Sequence, residues 1–316
     1  MTYLPHLTDD PAFAAIDLGS NALRALIVRL QDDRIEVLKE IREPLRLGED
    51  VFSKGIISPE KCRQTEECFI RLLHLFTAYG VDDVRAIATS AMRDARNSQA
   101  LIHNISLYTG IDIGAISGRE EAQLIFNAVS SEINLKNKRA ILMDIGGGST
   151  EISIVIDGKL TASHSFNIGT VRLLRHESQK ELDIRISLMV EKILRFIHGH
   201  FGKKTPDLFI GTGGNLRRMG KIRRKILNKS SEECLYSEIA HMADTLFSMS
   251  FIDRVRKLEL DRNRADVILP ATMLVRILMK GIGAKKILLP KVGLKEGIIL
   301  SMLNSEPRKF KRLPKT

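Results

Sequence analysis

Ala15-Ile16-Asp17-Leu18-Gly19-Ser20-Asn21 and Leu142-Met143-Asp144-Ile145-Gly146-Gly147-Gly148-Ser149-Thr150 are two versions of one pattern. Each is an apolar run ending in Asp, then a Gly/Ser turn, then a second β-rich run, Leu23–Leu30 in the first copy and Glu151–Ile156 in the second. Glycine lets the backbone turn tightly and aim successive N–H groups at one point, where an anion can sit. The hydroxyls of Ser20, Ser149 and Thr150 add donors. A strand-end Asp can hold a hard cation or orient a water. Alone, Asp17-x-Gly-Ser-Asn is explained as well by a tight turn as by a phosphate. The recurrence is the stronger signal, and it predicts two duplicated halves whose interdomain cleft grips a phosphate chain from both sides. Neither copy is a P-loop, because no Gly-Lys-Ser/Thr follows.

Outward from the first copy, residues 13–17, 22–30 and 34–41 read as a three-strand meander. Ser58-Pro59 starts a helix, with a capping hydroxyl and Pro at the first helical position, and Gly80 ends it. Val84–Thr89 reads as a strand, Asp94–Thr109 as a helix closed by Gly110, Ile111–Ile116 as a strand and Gly118–Ser131 as a helix. The polar segment Ser130–Arg139 then separates a domain at 1–132 from a second at 133–303 that restarts with the strand Ala140–Asp144. Asp157-Gly158 marks a tight hairpin, and Asp207–Ile210 a later strand. Three strands followed by α/β alternation, twice, predict an α/β protein with a duplicated, actin-like (ribonuclease-H-like) two-domain ATPase-type fold. Residues 304–316 read as a loosely ordered basic tail.

The bulk properties narrow the partner. The 316 residues carry a formal charge of +11, which favours an anionic ligand. There is no Trp and aromatics are 5%, poor equipment for gripping single-stranded nucleic acid, so a polyphosphate fits the charge better. No run of about 18 apolar residues is present and the N-terminus lacks a signal pattern, so the expectation is a cytoplasmic protein. Cys62, Cys68 and Cys234 have no metal-ligand spacing and read as reduced thiols. His198-Gly199-His200 reads as the end of a helix rather than a metal site.

Four further segments bear chemistry. In Ala88–Asn97, Thr89 and Ser90 could donate to phosphate and Arg93 could fork onto its oxygens, or the segment is a helix start near Asp94 with a solvated arginine. Ser117-x-x-Glu120 is a capping box, which leaves Glu121 about 100° round the helix and not needed for the cap. Glu121 is therefore the candidate general base, against an ordinary solvated position. Gly211-Thr212-Gly213-Gly214-Asn215 follows a strand and opens a helix, suiting an anion or a plain corner. The acid-free run Arg217, Arg218, Lys221, Arg223, Arg224, Lys225 and Lys229 could guide a polyanion or be a solvated helix face, and Arg264 could reach the cleft or cap.

Together these segments resemble the exopolyphosphatase / guanosine pentaphosphate phosphohydrolase (Ppx/GppA) family. The likeness runs from Phe13 to about Leu303, through Asp17–Asn21, Ala88–Asn97, Ile116–Ala122, Asp144–Glu151, Gly211–Gly214, Arg264-Ala265-Asp266 and Gly293–Gly297, in order. The resemblance implies Glu121 as catalytic base and Asp144 and Glu151 as holders of Mg²⁺. It implies Gly19, Ser20, Asn21, Gly146, Gly147, Gly148 and Ser149 as phosphate loops, and Arg24 and Arg264 along the substrate path, with Arg93, Gly213 and Gly214 also at phosphate. Asn215, Ala271 and Lys295 stand where Thr, Gly and Arg are commoner in the family. The chain looks like the short form without the HD-like domain. A homodimer is plausible on resemblance alone. The implied activity is removal of the terminal phosphate of inorganic polyphosphate. The alternatives are hydrolysis of guanosine pentaphosphate, an actin-like ATPase or sugar kinase, and a non-catalytic polyphosphate sensor.

Overall fold

The computed structural model describes residues 10–32, 34–174, 179–202 and 204–304. The chain divides into two compact units, Met1–Leu124 with Leu294–Thr316, and Ile125–Gly293.

The first unit opens with the expected meander, β1 (Ala12–Leu18), β2 (Leu23–Gln31) and β3 (Arg34–Glu43). A short α1 (Leu47–Lys54) precedes α2 (Pro59–Ala78), whose N-cap Ser58 accepts from the Lys61 amide and whose end is followed by Gly80 at φ 64°. Then come β4 (Val81–Ala88), α3 (Ser90–Asp94), α4 (Ser98–Thr109), β5 (Ile113–Ala115) and α5 (Gly118–Glu132). The five strands form one sheet in the order β3-β2-β1-β4-β5. Its core is built from Ile16, Leu18, Leu23 and Ile27 of the sheet with Phe69 and Phe76 of α2.

The second unit repeats the plan with β6 (Arg139–Ile145), β7 (Thr150–Ile156) and β8 (Lys159–Phe166). Ile156 pairs with Lys159 across Asp157-Gly158, whose φ values of 52° and 72° are those of a tight primed turn. After α6 (Thr170–Leu173) and α7 (Gln179–Phe201) follow β9 (Leu208–Thr212), α8 (Gly213–Leu227) and β10 (Glu233–Leu235). The unit ends with α9 (Tyr236–Ser248), α10 (Phe251–Lys257), α11 (Arg262–Ala265), α12 (Ile268–Gly281) and β11 (Lys286–Leu288). Its sheet runs β8-β7-β6-β9-β11-β10, the same order as the first sheet with one strand added. This is the duplicated α/β arrangement that the sequence predicts.

Three expectations differ from the structure. The last helix, α13 (Leu294–Leu303), packs on β1, β2 and β4 and belongs to the first unit, whereas the sequence predicts a second domain through 303. The cause is tertiary: a Cβ on Gly297 would lie 2.1 Å from the Leu124 carbonyl oxygen, so this helix seats itself against the first unit's own backbone. The boundary also falls at 124/125, inside α5, rather than at 132/133. Finally, Asp94 ends a helix instead of starting one. Ala95 is extended, and the Asn97 side chain bonds the Ile57 amide and carbonyl at 2.9 Å each, which breaks the run before Ser98. The basic tail lies outside the described residues from 305 onward. No helix among the described residues is long and apolar enough to cross a membrane.

Candidate active site

The two Gly/Ser turns are the same structure built twice. Leu18 pairs with Leu23 around Gly19–Ala22, and Ile145 pairs with Thr150 around Gly146–Ser149. In each, the first glycine's amide donates to the carbonyl of the last turn residue, Gly19 to Ala22 at 3.2 Å and Gly146 to Ser149 at 3.0 Å.

The segment after the third strand of each unit then ties down the turn's carbonyls. Arg46 and Gly48 amides donate to the Asn21 and Ser20 carbonyls at 3.1 and 2.8 Å. In the second unit the Thr170 amide donates to Gly146, those of Val171 and Arg172 donate to Gly147, and Arg172 Nε donates to Gly148 at 2.6 Å. With the oxygens held on one side, the Gly147 and Gly148 N–H groups have no protein acceptor among the described residues. Such amides form an anion-binding concavity. Gly169 makes the close approach possible, since a Cβ there would lie 2.4 Å from the Gly147 carbonyl. This bracket carries no phosphate-type motif and is not among the features the sequence predicts. The available signals were Gly48 and Gly169, each placed just after a third strand.

The strand-end acids sit in cross-strand rows. Asp17 faces Arg24 on β2, with Arg24 Nη1 3.2 Å from Asp17 Oδ2. Burial pushes the Asp17 carboxyl above its usual range, and the Arg24 guanidinium works the other way. At the equivalent place Asp144 faces Glu151, and the row continues to Thr212 on β9 and Ser165 on β8. Thr212 Oγ1 donates to Asp144 Oδ2 at 2.7 Å and Ser165 Oγ donates to Glu151 Oε1 at 2.8 Å. A hydroxyl thus holds each carboxylate from its outer side. Gly213 has φ 90°, and a side chain there would meet Asp144 Oδ1 at 2.7 Å, so the start of α8 closes onto this acid.

Among the described residues no cluster of three or more His, Cys, Asp or Glu is present. Two neighbouring carboxylates fit Mg²⁺, which commonly uses one or two protein carboxylates and completes its shell with waters and substrate phosphates. The thiols take no part. Cys62 is half-buried, and burial raises Cys68 to about 11 and Cys234 to about 12.

Glu121 rises from the first turn of α5. The predicted capping box is present: Glu120 Oε2 accepts from the Ser117 amide and hydroxyl at 2.8 Å each, and the Glu120 amide donates back to Ser117 Oγ at 3.2 Å. Those bonds hold the exposed Glu120 carboxyl below its usual range. Glu121 is buried, not solvated, at 7% exposure. Arg93 Nη1 lies 3.4 Å from Glu121 Oε2 and donates to the Ile116 carbonyl at 2.7 Å. Arg93 belongs to α3, whose Ala91 amide donates to Ser20 Oγ at 3.1 Å. Thr89 and Ser90 are buried at the start of this helix. The first Gly/Ser turn is therefore joined to Glu121 through one short helix.

The remaining candidates are bound into the scaffold. Arg264 Nη1 donates to the Gly214 carbonyl at 3.1 Å, bracing the glycine corner from α11. Asn215 donates to the Ile145 carbonyl at 3.2 Å and to Thr170 Oγ1 at 3.3 Å, so the residue that departs from the family pattern fastens α8 to the second hairpin. Lys295 reaches Glu40 and Glu296 at 3.1 and 3.0 Å. Of the basic run, Arg223 is buried and paired with Glu238 at 2.8 Å, while Lys225 and Lys229 pair with Glu259 and Glu238 at 2.6 Å each.

The first unit thus carries a Gly/Ser turn and the buried Glu121, and the second a matching turn and an acidic row. The chain belongs to the Ppx/GppA phosphatase family, whose model matches residues 26–306. It is 25% identical, with a TM-score of 0.84, to an exopolyphosphatase from Cytophaga hutchinsonii, covering 93% of this chain and 98% of that one. A Ppx/GppA family member from Aquifex aeolicus shares the fold at 22% identity and a TM-score of 0.78, over 94% and 99% of the two chains. The chain is also 30% identical over 289 residues to the bifunctional 3-dehydroquinate synthase/phosphatase of Fusobacterium nucleatum, matching 85% of this chain and 43% of that protein. It thus spans less than half the length of that curated relative.

Proposed function

We propose that the protein is an exopolyphosphatase, hydrolysing the terminal phosphoanhydride bond of inorganic polyphosphate. The observation that carries this reading is the linked set Ser20–α3–Arg93–Glu121, which ties a Gly/Ser turn to a buried carboxylate while the neighbouring Glu120 makes the cap. The turn amides hold phosphate oxygens. Glu121 takes a proton from a water, whose oxygen forms a bond to the terminal phosphorus as the anhydride P–O bond breaks and the inner phosphate leaves. Arg93 fixes the orientation of the Glu121 carboxylate. Asp144 and Glu151 would hold Mg²⁺, which offsets charge on the phosphoryl oxygens. The transition state is loose, so positioning and electrostatics supply most of the rate.

A second substrate fits the same chemistry, the 5′ γ-phosphate of guanosine pentaphosphate. The charge of +11 and the scarcity of aromatic residues favour the inorganic chain, since a base finds few stacking partners. The test is phosphate release from polyphosphates of graded length, with guanosine pentaphosphate and ATP as comparators and Mg²⁺ present. The reading expects kcat/KM to be highest on polyphosphate, with no nucleotide required. Release only from ATP would make the protein an ATPase, and tight polyphosphate binding without turnover would make it a sensor.

A further inference from the structure

Helix α8 carries a cationic face that the site described above does not use. Its buried side is Asn215, Leu216, Met219, Ile222 and Arg223. At about 100° per residue, Arg217, Arg218, Lys221, Arg224 and Lys225 fall within an arc of about 120° centred on Lys221. The 15 residues of this helix include no acid and no aromatic. Arg217 donates to the Lys291 carbonyl, which brings a further exposed lysine beside the stripe, and Lys225 is neutralised by Glu259. Arg218, Lys221 and Arg224 have no ion-pair partner among the described residues, and Lys221 and Arg224 are exposed. The stripe starts at the turn of helix that closes on Asp144 and extends along the axis at about 1.5 Å per residue.

We infer that the exposed face of α8 is a track for the distal phosphates of a long polyphosphate chain, with Arg218, Lys221 and Arg224 as its unneutralised cations. The inference rests on the exopolyphosphatase reading. A run of cations on one helix face without acids matches a ligand with one charge per repeat, and the lack of aromatics on that face offers no platform for bases. The track acts only on substrate longer than the catalytic turns can hold, so it sets chain-length preference and not the chemical step.

The test is the triple variant Arg218→Gln/Lys221→Gln/Arg224→Gln, with Arg218→Lys/Arg224→Lys as the charge-keeping control. On long-chain polyphosphate at low salt the triple variant is expected to lose about tenfold in kcat/KM, the sum of three modest surface contacts. Its log–log salt slope should be shallower by about 2, near 0.7 for each phosphate no longer neutralised. Hydrolysis of tripolyphosphate should be unchanged, and the charge-keeping control should behave as the native chain. Native-like long-chain kinetics in the triple variant overturn the track while leaving the exopolyphosphatase reading intact. A native chain that hydrolyses neither long nor short polyphosphate overturns that reading instead. An RNA oligonucleotide that competes at lower phosphate concentration than polyphosphate, and only on the native face, overturns the choice of ligand.

Discussion

Asp144 and Glu151 are direct partners across an antiparallel ladder, at the position that Asp17 and Arg24 occupy in the other sheet. The duplicated hairpins are thus alike in backbone and opposite in charge. In the first row Arg24 also faces Arg42, so basic groups dominate, whereas in the second two carboxylates stand side by side between two hydroxyls. The first row suits anionic oxygen, and the second has the donor set a divalent cation would need. Like charges directly opposite on a sheet destabilise it by a few tenths of a kcal/mol to about 1 kcal/mol.

That juxtaposition predicts opposite effects for one substitution. Glu151→Gln relieves the repulsion and should raise the Tm of metal-free protein slightly. It should also shrink the Tm gain on adding Mg²⁺, which for a ligand at about a hundredfold over its Kd corresponds to about 2.7 kcal/mol. Thermal unfolding with Mg²⁺ and with chelator checks both. Equal Mg²⁺ responses in the native and Glu151→Gln proteins would remove the cation from this row.

The bracket behind the second turn gives a packing prediction. Gly169→Ala would place a methyl group 2.4 Å from the backbone of Gly147 and Gly148, and neither can move without displacing the turn. The expected cost is about 1–3 kcal/mol of stability, with KM for polyphosphate rising at least tenfold. Gly199→Ala, at a helical glycine with open space around it, should instead be stabilising by about 0.5–1 kcal/mol with native kinetics. Denaturant unfolding and steady-state assays distinguish the two.

Acid stability should follow Glu238. Burial opposes its ionisation, yet bonds from Lys229, the Leu235 amide and Arg223 hold the carboxyl down at about 2, against a usual 4.5. A depressed folded-state value means the contribution is complete above pH 4.5 and is lost as pH falls toward 2. Its size is on the order of 3 kcal/mol. Glu238→Gln leaves Arg223 buried without its counter-charge and should cost about 3 kcal/mol at neutral pH while flattening the acid limb of the stability curve. An unaltered acid limb would contradict the assignment.

Much of this architecture was legible in the sequence because it is local. The Asp-Gly-Ser repeat, Ser58-Pro59, Asp157-Gly158 and the Ser117/Glu120 box each specify their own backbone, and each forms as its residues require. What was not legible depends on partners distant in the chain. The brackets at 46–48 and 169–172 are recognised only once the third strand has returned them to the turns. Arg93 joins Glu121 to the Ile116 carbonyl at the strand-to-helix corner, a contact that no spacing rule reports. The basic run divided for the same reason, with Arg223 turned inward to Glu238 and Arg218, Lys221 and Arg224 left on the surface side of α8.

The most direct test is the phosphate-release rate of Glu121→Gln on tripolyphosphate at saturating Mg²⁺. The variant keeps the side chain's size and its place beside Arg93 while removing its capacity to accept a proton. The account predicts a kcat lowered by about 10²–10⁴-fold with KM near the native value. A kcat equal to that of the native chain would contradict it.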